Sequence, residues 1–112
     1  MTLETRDVDG IVIALIPGRA LDARNAPAFK AAAAPLFESG AKVVFDMERV
    51  EFVDSAGIGA LVSCLRRANT VQGELKLSSL TKQVRTLFQL VRMHQVLEIF
   101  NSCDEAIRSY QA

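Results

Sequence analysis

The sequence predicts an α/β fold with a mixed, mostly parallel sheet. Short apolar segments alternate with segments in which apolar residues recur every three or four positions, the pattern of strands alternating with covering helices. An Asp9-Gly10 turn between the first two extended segments is typical of an antiparallel hairpin. At 112 residues the chain fits one compact domain. We therefore expect a single domain over residues 1–112, with about four or five strands opened by a hairpin and about four helices.

The individual elements follow from the period of the apolar residues and from the residues that start and stop helices. The predicted strands are residues 3–6, 11–16, 42–46, 74–78 and 96–100, with a further extended stretch at 50–53. The predicted helices are residues 26–39, 57–71 and 81–91, and a terminal helix that Ser102 or Asp104 caps. For the first helix, Asp22 or Asn25 is the expected N-cap and Gly40 the expected stop.

Composition narrows the class of partner. Thirteen basic and thirteen acidic residues cancel, so no net field favours nucleic acid or an anionic membrane as the main partner. No segment approaches the roughly 18 apolar residues of a membrane span, and the N-terminus lacks the pattern of a cleaved leader. We expect a cytoplasmic protein whose partner is another protein. No heptad seam is present, which favours a monomer or a weak dimer.

Metal and cofactor chemistry have little support in the sequence. Cys64 and Cys103 lie far apart with no CxxC motif, and His94 is the single histidine. We interpret both cysteines as small apolar side chains and expect no metal and no cofactor. The two glycines at 57 and 59 match no phosphate-binding loop pattern.

The most informative motif is Asp54-Ser55-Ala56-Gly57-Ile58-Gly59, which lies where an extended segment changes to a helical one. A residue at this entrance can be the N-cap of the helix, with Gly57 present for tight backbone geometry. A hydroxyl there can equally accept a phosphoryl group, because the free amides and positive dipole end of the first turn favour anions. The residues alone leave both interpretations open.

The helix after Ser55 has two distinct faces. Its apolar side is expected to point inward and comprises Ile58, Leu61, Val62, Leu65 and Ala68. The opposite side carries mostly small residues, namely Ala56, Gly59, Ala60, Ser63, Arg67 and Thr70. Small side chains let the backbone of another protein approach closely, whereas an ordinary solvent face usually carries Lys, Glu or Gln. An interface and a plain solvent face both remain open.

Two other mechanisms fit less well. Nucleophilic catalysis by Ser55 would need a base, and the chain offers only His94, with no GxSxG motif around the serine. A two-component receiver domain would use Asp46 or Asp54 as its phosphoacceptor. A receiver also needs an acidic cluster after its first strand to hold Mg²⁺, and here that strand ends Ile16-Pro17-Gly18.

The 54–59 motif resembles the signature of the STAS domain, specifically of bacterial anti-sigma factor antagonists. Gly18-Arg19-Ala20-Leu21-Asp22 resembles the family's loop before its first helix, and Val84-Arg85-Thr86-Leu87-Phe88 resembles its third helix. The resemblance implies a STAS fold over essentially the whole chain. It also implies that Ser55 is the phosphoacceptor. Ala56 departs from the Ser or Thr frequent at that position, which leaves Ser55 the only hydroxyl in the motif.

The resemblance further implies how such a protein is regulated. A serine kinase that doubles as the anti-sigma factor phosphorylates the antagonist with ATP, and a PP2C-type phosphatase reverses the modification. The unmodified antagonist captures the kinase, and a sigma factor is released. The residues expected to meet the partner are Asp22, Asp54, Ala56, Gly57, Gly59, Ala60, Ser63 and Arg67. Asp22 fits equally well as a helix cap, and a STAS scaffold that is not phosphorylated is the main alternative.

Overall fold

The structure is a computed structural model that describes residues 1–112. Its strands are β1 (Glu4–Val8), β2 (Ile11–Leu15), β3 (Ala20–Leu21), β4 (Lys42–Asp46), β5 (Phe52–Val53), β6 (Glu74–Ser78) and β7 (Glu98–Phe100). Its α-helices are α1 (Ala26–Ala33), α2 (Ser55–Thr70), α3 (Lys82–Leu90) and α4 (Cys103–Gln111). None of these helices is both long and apolar enough to cross a bilayer.

Five strands form one sheet in the order β1-β2-β4-β6-β7. The β1–β2 hairpin is antiparallel and the other three pairings are parallel, as the sequence predicts. Successive parallel strands are added in one direction, so the crossover helices α1, α2 and α3 pack on the same face, and α4 covers the other. A receiver domain has the order 2-1-3-4-5, so the receiver alternative is wrong at the level of the fold.

The core is divided between the two faces of the sheet. A cluster of 23 buried residues lies under α1, α2 and α3, with Phe45 packed edge-on against Phe29 and Phe37 at centroid distances of 5.4 and 6.0 Å. Under α4, the hydroxyl of Tyr110 donates to the Val43 carbonyl at 2.8 Å, and burial raises the pKa of that phenol. The Nζ of Lys76 lies 4.1 Å from the centroid of the Tyr110 ring. These contacts fix α4 against the sheet.

Strands 42–46 and 74–78 have the predicted bounds, whereas the first helix is shorter than predicted. The α-helix ends at Ala33, and residues 34–40 form 3₁₀ turns in which Ser39 has a φ of 64°. Pro35 explains the early end, because proline has no N–H to donate to the preceding turn of an α-helix. At the C-terminal helix, Ser102 is the N-cap, and its hydroxyl accepts from the amide of Glu105.

A second, two-stranded ladder is the feature that positions the candidate site. Strand β3 pairs in parallel with β5, which places Ala20 opposite Phe52 and Leu21 opposite Val53. The sequence predicts the extended stretch at 50–53 but no strand at 20–21. This pairing brings the loop before α1 alongside the loop before α2, although about 30 residues separate them in the chain.

Candidate functional site

The entrance of α2 is built around the carboxylate of Asp54. One oxygen, Oδ1, accepts from the Gly57 amide at 2.9 Å, and Asp54 is therefore the N-cap of the helix. The other, Oδ2, accepts from the Ala23 amide at 3.1 Å and ties the two loops together. Ser55 is the first residue of the helix, is exposed, and forms no side-chain hydrogen bond. The capping role thus belongs to Asp54, and the Ser55 hydroxyl stays exposed and unbonded.

Asp22 lies in the neighbouring loop and is only 8% exposed. Its Oδ1 accepts from the Arg24 amide at 3.0 Å, and its Oδ2 accepts from the Arg24 guanidinium, also at 3.0 Å. The hydrogen bond from this guanidinium is the main reason why the pKa of Asp22 lies below its usual value. Asn25 is the N-cap position of α1, and its Oδ1 accepts from the Asp22 amide instead of capping the helix. The carboxylates of Asp54 and Asp22 thus accept hydrogen bonds from the amides of two adjacent residues, Ala23 and Arg24 respectively.

Gly57 makes a close backbone contact, which agrees with the tight backbone geometry expected at this position. It is buried, and a Cβ at this position would overlap the carbonyl oxygen of Leu21 and lie 2.9 Å from Cγ1 of Val53. Gly57 therefore packs inside the protein, and its expected part in partner binding stays a prediction. Its missing side chain lets the first turn of α2 rest on the backbone of β3.

The predicted small-residue face of α2 is exposed or half-buried except at Ala60. Ala60 is only 2% exposed and belongs to the core, so its assignment to the outer face is wrong. The reason is that α1 packs along this side of α2, with Ala60 and Cys64 between the two helices. On the predicted inner side, Leu61 and Ala68 are fully buried. The other three apolar residues are half-buried and still contact the core, namely Ile58, Val62 and Leu65.

A groove remains open above the contact between α1 and α2, which we call the α1–α2 groove. Its upper part has a volume of about 340 Å³ and is lined by Ala23, Ala26, Pro27, Lys30, Ala56, Gly59, Ala60 and Ser63. A smaller lower part of about 200 Å³ is lined by Lys30, Ala34, Ser63, Cys64 and Arg67. Four of the predicted partner-binding residues therefore lie in the upper part, and Arg67 lies at the lower end.

The sequence patterns did not indicate that two further residues, Lys30 and Phe52, belong to this region. Lys30 lines both parts of the groove, and its position there depends on how α1 packs against α2. Phe52, three residues before Ser55, is 56% exposed although it is aromatic. The alternation of side chains along a strand is the signal that could have found Phe52, because Val53 points into the core.

The remaining chemically reactive side chains lie away from Ser55. Cys64 is buried in the core, where burial raises the pKa of its thiol to about 12, which confirms its interpretation as a small apolar residue. Burial also raises the pKa of Cys103, whose Sγ lies 3.1 Å from Oγ of Ser78. His94 lines a separate cavity beside α3 with Arg85 and Phe88.

Replacing Asp54 with alanine is expected to destabilise the fold by about 1–2 kcal/mol, because it removes the cap of α2 and the bond to Ala23 together. Asp54→Asn is the matched control, since its amide oxygen can still accept the Gly57 bond, and we expect it to lose less stability. Urea unfolding followed by circular dichroism measures both. Equal midpoints for wild type and Asp54→Ala would contradict the structural role given to this carboxylate.

Comparison with known proteins shows which family the chain belongs to. The sequence profile of the STAS domain matches residues 2–106. The chain therefore belongs to the STAS domain family, as the resemblance of its 54–59 motif implies.

Relatives of this chain include proteins named as anti-sigma factor antagonists. BtrV of Bordetella bronchiseptica, provisionally named an anti-sigma factor antagonist, is 29% identical over 112 residues, covering 99% of this chain and 96% of BtrV. The anti-sigma-B factor antagonist of Listeria monocytogenes is 30% identical over 100 residues, covering 88% of this chain and 86% of the relative. The Bacillus cell fate determinant SpoIIAA, solved in its phosphorylated form, superposes with a TM-score of 0.68 at 22% identity, covering 97% and 99% of the two chains. That last similarity concerns the fold alone.

Proposed function

We propose that this chain is an anti-sigma factor antagonist whose binding is controlled by phosphorylation of Ser55. The observation that carries the proposal is the state of the Ser55 side chain: exposed, free of hydrogen bonds, and in the first turn of α2 beside the α1–α2 groove. The names of the Bordetella and Listeria relatives support the class of function.

The unmodified form is the one that binds. The anti-sigma factor, which is also the serine kinase, docks over Ser55 and the groove, and the sigma factor it would otherwise hold is released. The kinase supplies ATP and the base that activates the serine hydroxyl, so this chain acts as substrate and binding protein rather than as an enzyme. It needs no cofactor of its own in this scheme. A PP2C-type phosphatase restores the binding form.

Phosphorylation acts through charge. A phosphoryl group adds about −1.5 to −2 charges next to the carboxylate of Asp54, which is fixed by its hydrogen bonds to the amides of Ala23 and Gly57. A partner that closes over Ser55 would have to desolvate this dianion beside the existing negative charge of Asp54. A cost of about 3–4 kcal/mol lowers affinity a few hundredfold to nearly a thousandfold, which is enough to exchange partners.

The test uses three baits in a lysate of the source cells: wild type, Ser55→Ala and Ser55→Glu. Retained proteins and phosphopeptides are identified by mass spectrometry. We expect wild type and Ser55→Ala to retain an ATP-binding serine kinase, Ser55→Glu to lose it, and wild type to carry phosphate on Ser55. Ser55→Ala is the matched control, since the hydroxyl it removes makes no bond within the protein.

Equal retention by all three baits, with no phosphate on Ser55, would refute control by phosphorylation. The scaffold alternative would then describe the protein better.

A further inference from the structure

The three helices on one face of the sheet are basic, a feature that the neutral net charge hides. Helices α1, α2 and α3 contain no aspartate or glutamate. They carry five basic side chains, namely Lys30, Arg66, Arg67, Lys82 and Arg85. None of these five has a carboxylate within 4.0 Å, because the ion pairs of the structure are those of Arg19, Arg24 and Lys76. This face therefore presents unpaired positive charge in a protein of zero net charge.

The α1–α2 groove concentrates this charge. Lys30 lines both of its parts and Arg67 its lower end, and no acidic side chain lines either part. The other lining side chains are mostly small, and a Cβ on Gly59 would meet no atom within 4 Å. The groove can thus admit side chains from outside while two cations flank them.

One carboxylate without a cationic partner stands near the end of the groove next to Ser55. Ala23 lines the upper part, and its amide is bonded to the carboxylate of Asp54, whereas the Asp22 carboxylate is paired with the Arg24 guanidinium at 3.0 Å. A uniformly charged polyanion such as nucleic acid or an anionic membrane would meet the Asp54 carboxylate as well as the cations. A peptide segment can instead place its acidic residues only at the Lys30–Arg67 end.

From this charge arrangement we infer that the α1–α2 groove is the docking site for an acidic segment of the protein partner. The inference rests on the proposed function. It adds to that function the chemical character of the partner's contact surface, which is acidic. Phosphorylation of Ser55 would then place a dianion at the mouth of a groove holding an acidic segment.

The experiment places a diazirine amino acid at Pro27, an exposed groove residue, by codon reassignment in the source cells. The same amino acid at Arg108, exposed on α4 on the opposite face of the sheet, is the control position. After irradiation, the cross-linked peptides are sequenced by mass spectrometry. We expect the Pro27 position to yield a segment rich in Asp and Glu, and the Arg108 position not to yield it.

Charge reversal of the groove provides the second readout. Lys30→Glu combined with Arg67→Glu is expected to lower the yield of the Pro27 cross-link about tenfold or more. Lys82→Glu, the same change on α3 and outside the groove, is the matched control and should leave the yield unchanged. Lys30, Arg67 and Lys82 are all exposed, so thermal unfolding should show that the variants remain folded.

The outcomes separate the inference from the proposed function. An acidic segment of a serine kinase, lost on charge reversal, supports both. An acidic segment of a protein unrelated to sigma regulation supports the groove and refutes the proposed partner. A cross-link to nucleic acid or to a segment without acidic residues, a yield that charge reversal does not change, or no cross-link at Pro27 overturns the inference about the groove.

Discussion

Gly57→Ala is expected to destabilise the protein by about 3 kcal/mol or more, and to lower Tm by about 12 °C or more. The added methyl group would overlap the carbonyl oxygen of Leu21 and approach Val53 at 2.9 Å. Neither neighbour can move easily, because Leu21 and Val53 are paired in the β3–β5 ladder and the Leu21 carbonyl also accepts from the Asp54 amide at 3.3 Å. To make room for the methyl group, the N-terminal end of α2 would have to move away from β3. Differential scanning calorimetry measures the change.

Gly59→Ala is the control, since it makes the same chemical change two residues later in the same helix. Its Cβ would meet nothing within 4 Å, so the alanine should stabilise α2 by about 0.5–1 kcal/mol through its higher helix propensity. The two variants should therefore shift Tm in opposite directions. If both shifted it equally, the close contact of Gly57 with Leu21 would not be the cause.

Phosphorylation of Ser55 is expected to weaken binding of the purified kinase partner a few hundredfold to nearly a thousandfold. Protein carrying phosphoserine at position 55, made by genetic incorporation, is compared with wild type and Ser55→Ala by isothermal titration calorimetry. Ser55→Ala should bind like wild type. The fold of the phosphorylated form should be retained, because the Ser55 side chain is exposed and packs against nothing in the core.

The salt dependence of binding provides a second test of this prediction. If repulsion between charges causes the loss of affinity, the ratio between the two forms should narrow as ionic strength rises from about 0.05 to 0.5 M, because screening shortens the range of the interaction. A loss of less than about tenfold on phosphorylation would be too small to exchange partners and would contradict the switch. A large loss that salt leaves unchanged would point to steric exclusion instead.

Local patterns were enough to predict most of the fold. Strands 42–46 and 74–78 have the predicted bounds because a strand of this kind is specified by residues that are adjacent in the sequence. The hairpin at Asp9-Gly10 was predictable for the same reason, since turn chemistry depends on adjacent residues. The break after Ala33 was missed because the helical periodicity of residues 26–39 outweighed the signal of Pro35.

The candidate site was only partly predictable. The sequence places Ser55 at the start of a helix, but it cannot choose between Asp54 and Ser55 as the cap. That choice depends on side-chain geometry, which gives the Gly57 amide to Asp54 and leaves Ser55 free. Ala60 was assigned to the wrong face because helical periodicity alone does not say that a second helix covers that side.

By itself, then, the sequence determined the order of the four helices and of the five strands of the main sheet, the family motif and the position of its serine, because all of these depend on residues close together in the chain. Only the tertiary structure decided which residues around that serine are buried, bonded or open. Gly57 and Gly59 look equivalent in the sequence, and the β3–β5 ladder makes one a close contact and the other open space. The charge of the groove also arises only when the folded chain brings α1 and α2 together, since Lys30 and Arg67 lie on different helices and are far apart in the sequence.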